Sequence, residues 1–153
     1  MQELILLRHA EATPAAGGSD DAARPLTPHG EQEARAAGEW LTSHGIHFDR
    51  VLCSPSVRTR QTAALALGLS NVELAQEIYE ASPGELIGLL GEHADVERLV
   101  LVGHNPGIEQ LVALLVEGRS EDFRGMPPGG LAWLKLSGPL EPGNAVLEAF
   151  WSP

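Results

Sequence analysis

Three short, largely apolar runs constrain the fold of this chain more than any other feature: Leu4-Ile5-Leu6-Leu7, Arg50-Val51-Leu52-Cys53 and Leu99-Val100-Leu101-Val102. Each reads as a buried strand, because its apolar residues are consecutive rather than alternating, and each is followed by a helix-starting signal. Ala34, Ala37, Gly38 and Leu41 recur at helical spacing between the first two runs, as Ile108, Leu111, Val112 and Leu115 do after the third. Strands alternating with amphipathic helices point to an α/β fold. The periodicity predicts helices over residues 28–43, 56–68, 83–92 and 106–117, with a further short strand over 72–78. Beyond residue 118 the pattern changes: Leu131–Leu136 and Val146–Phe150 flank a Pro142-Gly143-Asn144 turn and read as an antiparallel hairpin. The expected architecture is a three-layer α/β/α domain with a mainly parallel central sheet and a C-terminal antiparallel hairpin. A length of 153 residues suits one domain, so residues 1–153 are read as a single unit.

Four predicted helix starts share one device. Thr27-Pro28, Ser54-Pro55, Ser82-Pro83 and Asn105-Pro106 each place a capping side chain before a proline at the first helical position. Ser82 with Glu85 also forms a capping-box pattern. Ser54 and Asn105 follow strands directly, at the carboxyl edge of the expected parallel sheet. Ligands bind at that edge, and helix amino ends there favour anions.

Charge narrows the partners. Ten basic residues against twenty-one acidic ones give a formal net charge of −11, whose field repels nucleic acid and anionic membrane. An anionic substrate must then be held by locally concentrated arginines, so each arginine is informative. The single cysteine, Cys53, has no disulfide partner within the chain and reads as a buried, inert thiol. A reducing compartment, the cytoplasm, is the expectation. No apolar run approaches the length of a signal-peptide core or a membrane span.

Three strand ends carry polar groups of related chemistry: Arg8-His9 after the first, Ser54-Pro55-Ser56-Val57-Arg58 after the second and Gly103-His104-Asn105-Pro106 after the third. In a parallel sheet these ends are neighbours, so two guanidinium groups and two imidazoles meet in one cleft of an acidic protein. Forked arginine donors suit phosphate oxygens.

In this order and spacing, Leu7-Arg8-His9-Ala10-Glu11, Arg24-Pro25-Leu26-Thr27-Pro28-His29-Gly30, Ser54 to Thr62 and Val102-Gly103-His104-Asn105-Pro106 resemble the histidine phosphatase superfamily, also called phosphoglycerate mutase-like. The resemblance covers almost the whole chain, and the short length and Arg-Pro-Leu-Thr segment are most similar to the SixA-type branch, which removes phosphate from phosphohistidine in proteins. It implies that His9 is the nucleophile, forming a phosphohistidine intermediate that water hydrolyses. It further implies that Arg8, Arg58 and His104 hold the phosphoryl oxygens, with Arg24 a further phosphate-binding candidate, and that neither metal nor cofactor is required. Glu80 falls near the place where the wider family carries a proton donor. Ala10 departs from the glycine common after the Arg-His pair, so the turn there must be an ordinary one.

Plainer roles compete for several of these residues. Arg24 has Asp20 and Asp21 within salt-bridging reach, and Arg60 should face solvent. His29, His44, His47 and His93 read as solvent-facing, and Trp40, Trp133 and Trp151 as core or edge packing. Capping accounts for Ser54. A metal held by His9, Glu11 and His104 is electrostatically awkward beside two arginines. A phosphorylated protein is the expected partner, with a small phosphomonoester or a non-catalytic phosphate-binding role as alternatives. Residues 13–23 are small and polar enough to form a flap.

Overall fold

A computed structural model describes residues 1–15, 20–68 and 72–153. The expected flap over 13–23 lies partly outside these residues. Six strands form one sheet: β1 (Glu3–Arg8), β2 (Arg50–Cys53), β3 (Val72–Leu74), β4 (Arg98–Gly103), β5 (Leu131–Leu136) and β6 (Ala145–Trp151), in the order β3-β2-β4-β1-β5-β6. β1 to β4 run parallel, while β5 pairs antiparallel with β1 and β6 antiparallel with β5. The sheet is thus mainly parallel with an antiparallel hairpin at one side, as the sequence predicts.

The helices are α1 (Pro28–Ser43), α2 (Val57–Leu67), α3 (Pro83–Gly91) and α4 (Gly107–Glu117). Successive side chains of a strand face opposite ways, and this pleat sorts the apolar runs into two cores. Leu4, Leu6, Leu99 and Leu101 pack with Leu86, Leu90, Ile108 and Leu111 of α3 and α4. Ile5, Leu7, Val100 and Val102 pack with Ala37 and Leu41 of α1 and Ala63 of α2 on the other face. Burial on both faces explains why these strands are apolar at every position. Trp40, Trp133 and Trp151 are half-buried against the second core. Cys53 is fully buried in it, and burial pushes its thiol up to about 12.

The expected caps are present at Thr27 and at Ser82, the latter with its full capping box. Two others differ. The ladder between β2 and β4 continues through Ser54 N–H donating to Val102 O at 3.1 Å, so Ser54 is still extended and Ser56 caps α2 instead. At α4 the helix begins at Gly107, after a cis Asn105–Pro106 bond, and Asn105 Oδ1 accepts from Glu109 N–H at 3.3 Å. β3 is also shorter than expected. After Ala75 N–H donates to Cys53 O, the chain turns through a short 3-10 segment (Gln76–Ile78) to bury Ile78. His93 does not face solvent as expected, because Arg50 Nη1 lies 3.0 Å from its Nδ1 and covers it. Among the described residues no helix is long and apolar enough to cross a membrane.

Candidate active site

The parallel register explains why the polar strand ends meet. Arg8 stands opposite Gly103, and Cys53 opposite Val102, so His9, Ser54 and His104 leave three adjacent strands at one edge. The His9 and His104 ring centroids lie 5.3 Å apart. Arg58 enters from the first turn of α2, buried at 5% exposure.

His9 is held by its neighbours' backbone. Its N–H donates to Gly103 O at 3.1 Å, and its Nδ1 lies 2.7 Å from Ala10 O. A proton on Nδ1 satisfies that carbonyl and leaves Nε2 with a free lone pair. Ala10 keeps the ordinary backbone expected of it, with its N–H bonded to Thr62 Oγ1 at 3.0 Å. Burial lowers the His9 imidazole to about 4, with the charges of Arg58, Arg8 and Arg24 acting in the same direction. Burial likewise lowers His104 to about 3, helped by His9 and Arg58.

Both rings are therefore neutral at pH 7. A free histidine titrates near 6.5, so the unfolded chain binds more protons than the native one between that pH and the depressed native values. The contribution of these rings to native stability is complete above about pH 6.5, declines as pH falls below it, and stops declining once pH is below about 4 for His9 and about 3 for His104. NMR titration of the free protein should place the His9 midpoint near 4, and a midpoint above 6 would contradict the burial of its ring.

The arginines are anchored at their far ends. Arg8 Nη1 donates to Met126 O at 2.7 Å, a carbonyl that also accepts from Asn105 Nδ2 at 3.0 Å. Arg58 Nη1 donates to the Asp21 carbonyl at 2.8 Å and Nη2 to Asp21 Oδ2 at 3.0 Å. The same carboxylate accepts from Tyr79 OH and, at 3.0 Å, from Arg24 Nε. The Tyr79 bond, followed by those of Arg58 and Arg24, holds Asp21 well below the usual carboxylate range. Among the described residues, three buried side-chain polar atoms have no hydrogen-bond partner: Arg8 Nε, Arg58 Nε and His104 Nδ1. Buried donors are normally paired, so the two arginine nitrogens are available to an external acceptor, as is His104 Nδ1 in the tautomer that protonates it, and all three belong to neighbours of His9.

Of the sequence candidates, Arg8, His9, Arg58 and His104 come together as expected. Arg24 forms the expected ion pair with Asp21 and also donates to Thr13 O, while its charge still reaches both imidazoles. Glu80 is exposed in a left-handed conformation, φ 59°, on the rim of a cavity of about 370 Å³. Arg58, Tyr79, Glu85, His104 and Gln110 also line this cavity. Arg60 is exposed on α2, and the Glu11 carboxylate accepts from Thr27 Oγ1 at 2.8 Å. No group of three metal-ligating side chains is assembled among the described residues.

Sequence reasoning missed Tyr79, Ser54 and the bridging role of Asp21. Ser54 Oγ lies 2.8 Å from His104 Nε2, and the Tyr79 ring meets His104 edge-on at 5.4 Å. The one available signal was that Ser54 follows a strand ending beside the strand of His104.

Known proteins resemble this chain in sequence and in fold. Residues 4–98 match the model of the histidine phosphatase superfamily, branch 1. The chain is 35% identical to an uncharacterized Mycobacterium tuberculosis protein, Rv1276c, over 96% of this chain and 99% of that one. It is 29% identical to phosphohistidine phosphatase SixA of Escherichia coli over 77% of this chain and 76% of that one. A provisionally assigned SixA phosphohistidine phosphatase from Nakamurella multipartitia superposes with a TM-score of 0.88 at 32% identity, covering 99% of this chain and 96% of that one. A protein histidine phosphatase SixA solved with tungstate superposes with a TM-score of 0.81 at 25% identity, covering 99% and 97%. The chain belongs to branch 1 of the histidine phosphatase superfamily.

Proposed function

We propose that this phosphatase transfers the phosphoryl group of phosphohistidine in a protein to His9 and then to water, without a metal or cofactor. The observation that carries the reading is the set of three unpaired buried nitrogens, Arg8 Nε, Arg58 Nε and His104 Nδ1, on residues that neighbour a neutral His9. They match the three non-bridging oxygens of a phosphoryl group, which carry the charge during transfer. Nε2 of His9 forms a bond to phosphorus as the bond from phosphorus to the substrate nitrogen breaks. The leaving imidazole takes a proton, for which Glu80 on the cavity rim is the donor. Water then attacks the phosphoenzyme, the bond to Nε2 breaks, and the proton lost by water returns to Glu80 as phosphate leaves. Arg24 contributes positive charge and holds Asp21 against Arg58.

The cavity beside the reacting centre supports a protein side chain as substrate. Its rim carries the carboxylates of Glu80 and Glu85, and the chain as a whole carries −11. A leaving group with its own carboxylate meets like charge there, whereas an imidazole flanked by basic residues does not. The resemblance of the whole chain to SixA proteins supports the same choice over a small phosphomonoester.

A single-turnover reaction tests the reading. The protein, in excess chelator, is mixed with a phosphohistidine peptide, with p-nitrophenyl phosphate and with phosphoserine. An acid-labile, alkali-stable phosphoenzyme should form, fastest from the peptide and slowest from phosphoserine. Binding without any phosphoenzyme would reduce the site to a recognition module, and faster turnover of a small ester would transfer the assignment to small molecules.

A further inference from the structure

We infer that Ser54 is a positioning residue that fixes the tautomer of His104, so that its Nδ1 carries the proton and offers it to the oxyanion. The inference rests on the phosphatase reading of the site and adds to it a residue that never touches substrate. Ser54 is fully buried, and its backbone is pinned on both sides. Its N–H donates to Val102 O, and its carbonyl accepts from Thr59 Oγ1 at 2.8 Å. The side chain points toward His104 on the neighbouring strand end, where Oγ and Nε2 are 2.8 Å apart.

A neutral imidazole has one ring proton, so this contact can be made in two ways. If Nε2 carries the proton, the Ser54 hydroxyl hydrogen has no other acceptor among its contacts, and a bare Nδ1 lone pair faces the anion site. Both consequences are costly, since a buried hydroxyl without an acceptor is penalised and two lone pairs repel. If Ser54 donates to Nε2, the hydroxyl is satisfied and Nδ1–H becomes the third donor beside Arg8 Nε and Arg58 Nε. Burial keeps the ring neutral at pH 7, so the choice of tautomer decides whether His104 donates at all. The Tyr79 ring, edge-on to His104 and tied through its hydroxyl to Asp21, also restrains the imidazole plane.

The parent protein provides a test that needs no variant. Nitrogen-15 NMR of the His104 ring at pH 7 should show the proton on Nδ1, and finding it on Nε2 overturns the proposal. In Ser54→Ala nothing selects a tautomer, and the Nε2–H form, commoner for a free neutral side chain, should appear. Its affinity for inorganic phosphate should fall about tenfold, the equivalent of ~1.4 kcal/mol. Ser54→Cys, which keeps a weak donor, should fall between the two. Unchanged phosphate affinity in a folded Ser54→Ala overturns the positioning role. If the parent itself binds no phosphate and forms no phosphoenzyme, the phosphatase reading fails together with the purpose of the tautomer, whatever the ring spectrum shows.

Discussion

Replacing His9 with alanine should abolish phosphoenzyme formation and cut turnover on the order of 10⁴-fold or more, while leaving phosphate binding nearly unchanged. The asymmetry follows from how labour is divided at the strand ends. In the proposed mechanism the phosphate oxygens are met by Arg8, Arg58 and His104, whose unpaired nitrogens do not depend on the His9 ring for their placement. Arg8 is tethered to Met126, Arg58 to Asp21 and His104 to Ser54. Of the two site histidines, only His9 has a ring nitrogen held by a backbone carbonyl on one side and bare on the other. Truncation leaves its backbone bonds to Gly103 and Gly129 intact, so the fold should survive. Rapid-quench detection of labelled phosphoenzyme and phosphate titration of the same preparation measure the two effects separately. A variant that still forms phosphoenzyme would locate the nucleophile elsewhere, and one that also loses phosphate binding would show that the oxyanion site depends on the ring.

The reach of the sequence can be judged from particular residues. Leu4 to Leu7 and Leu99 to Val102 announce strands because both of their faces are buried, which forbids any alternation with polar residues. The hairpin over β5 and β6 was legible for a related reason, its turn chemistry lying between two strand-like runs. Arg8, His9, Arg58 and His104 could be placed together because each stands within a few residues of a strand end, and parallel strand ends are neighbours. The supporting layer was not legible in this way. Asp21, Arg58 and Tyr79 come from three distant segments, and no spacing rule joins a short turn before α1 to a residue after β3. Ser54 was misread because Ser-Pro is a sound helix start in itself. One additional ladder bond to Val102 moved the cap two residues onward and freed the serine for His104. His93 failed for the converse reason: a polar residue on a turn looks exposed until a partner from another strand covers it.

The same supporting layer makes Gly30→Ala the substitution with the largest expected cost to stability. Gly30 lies in the first turn of α1, and a Cβ added there would stand 2.0 Å from the Glu11 carbonyl oxygen and 2.9 Å from its carbon. Backbone cannot rotate away as a long side chain can, so the segment at Glu11 must move. That carbonyl accepts from Thr27 N–H, and the adjoining residues form the Ala12–Leu26 bridge and receive Arg24 at Thr13 O. Forced apart, these contacts should be lost together, at about 3 kcal/mol for an overpacked site. For a chain of this size that corresponds to a fall in Tm of roughly 6–12 °C. Activity should fall with it, because the residue before Glu11 supplies the carbonyl that orients His9, and Arg24 holds the Asp21 that orders Arg58. Gly88→Ala is the matched control. Gly88 is exposed in the middle of α3, an added Cβ meets nothing within 4 Å, and removing a flexible glycine from a helix should raise stability by about 0.5–1 kcal/mol. Thermal melts and phosphatase assays on the two variants decide the matter. A Gly30→Ala protein melting within about 2 °C of the parent, on the scale of that conversion, would mean that the Glu11 segment yields freely. The close approach of α1 to the segment that follows His9 would then not be what orders the site.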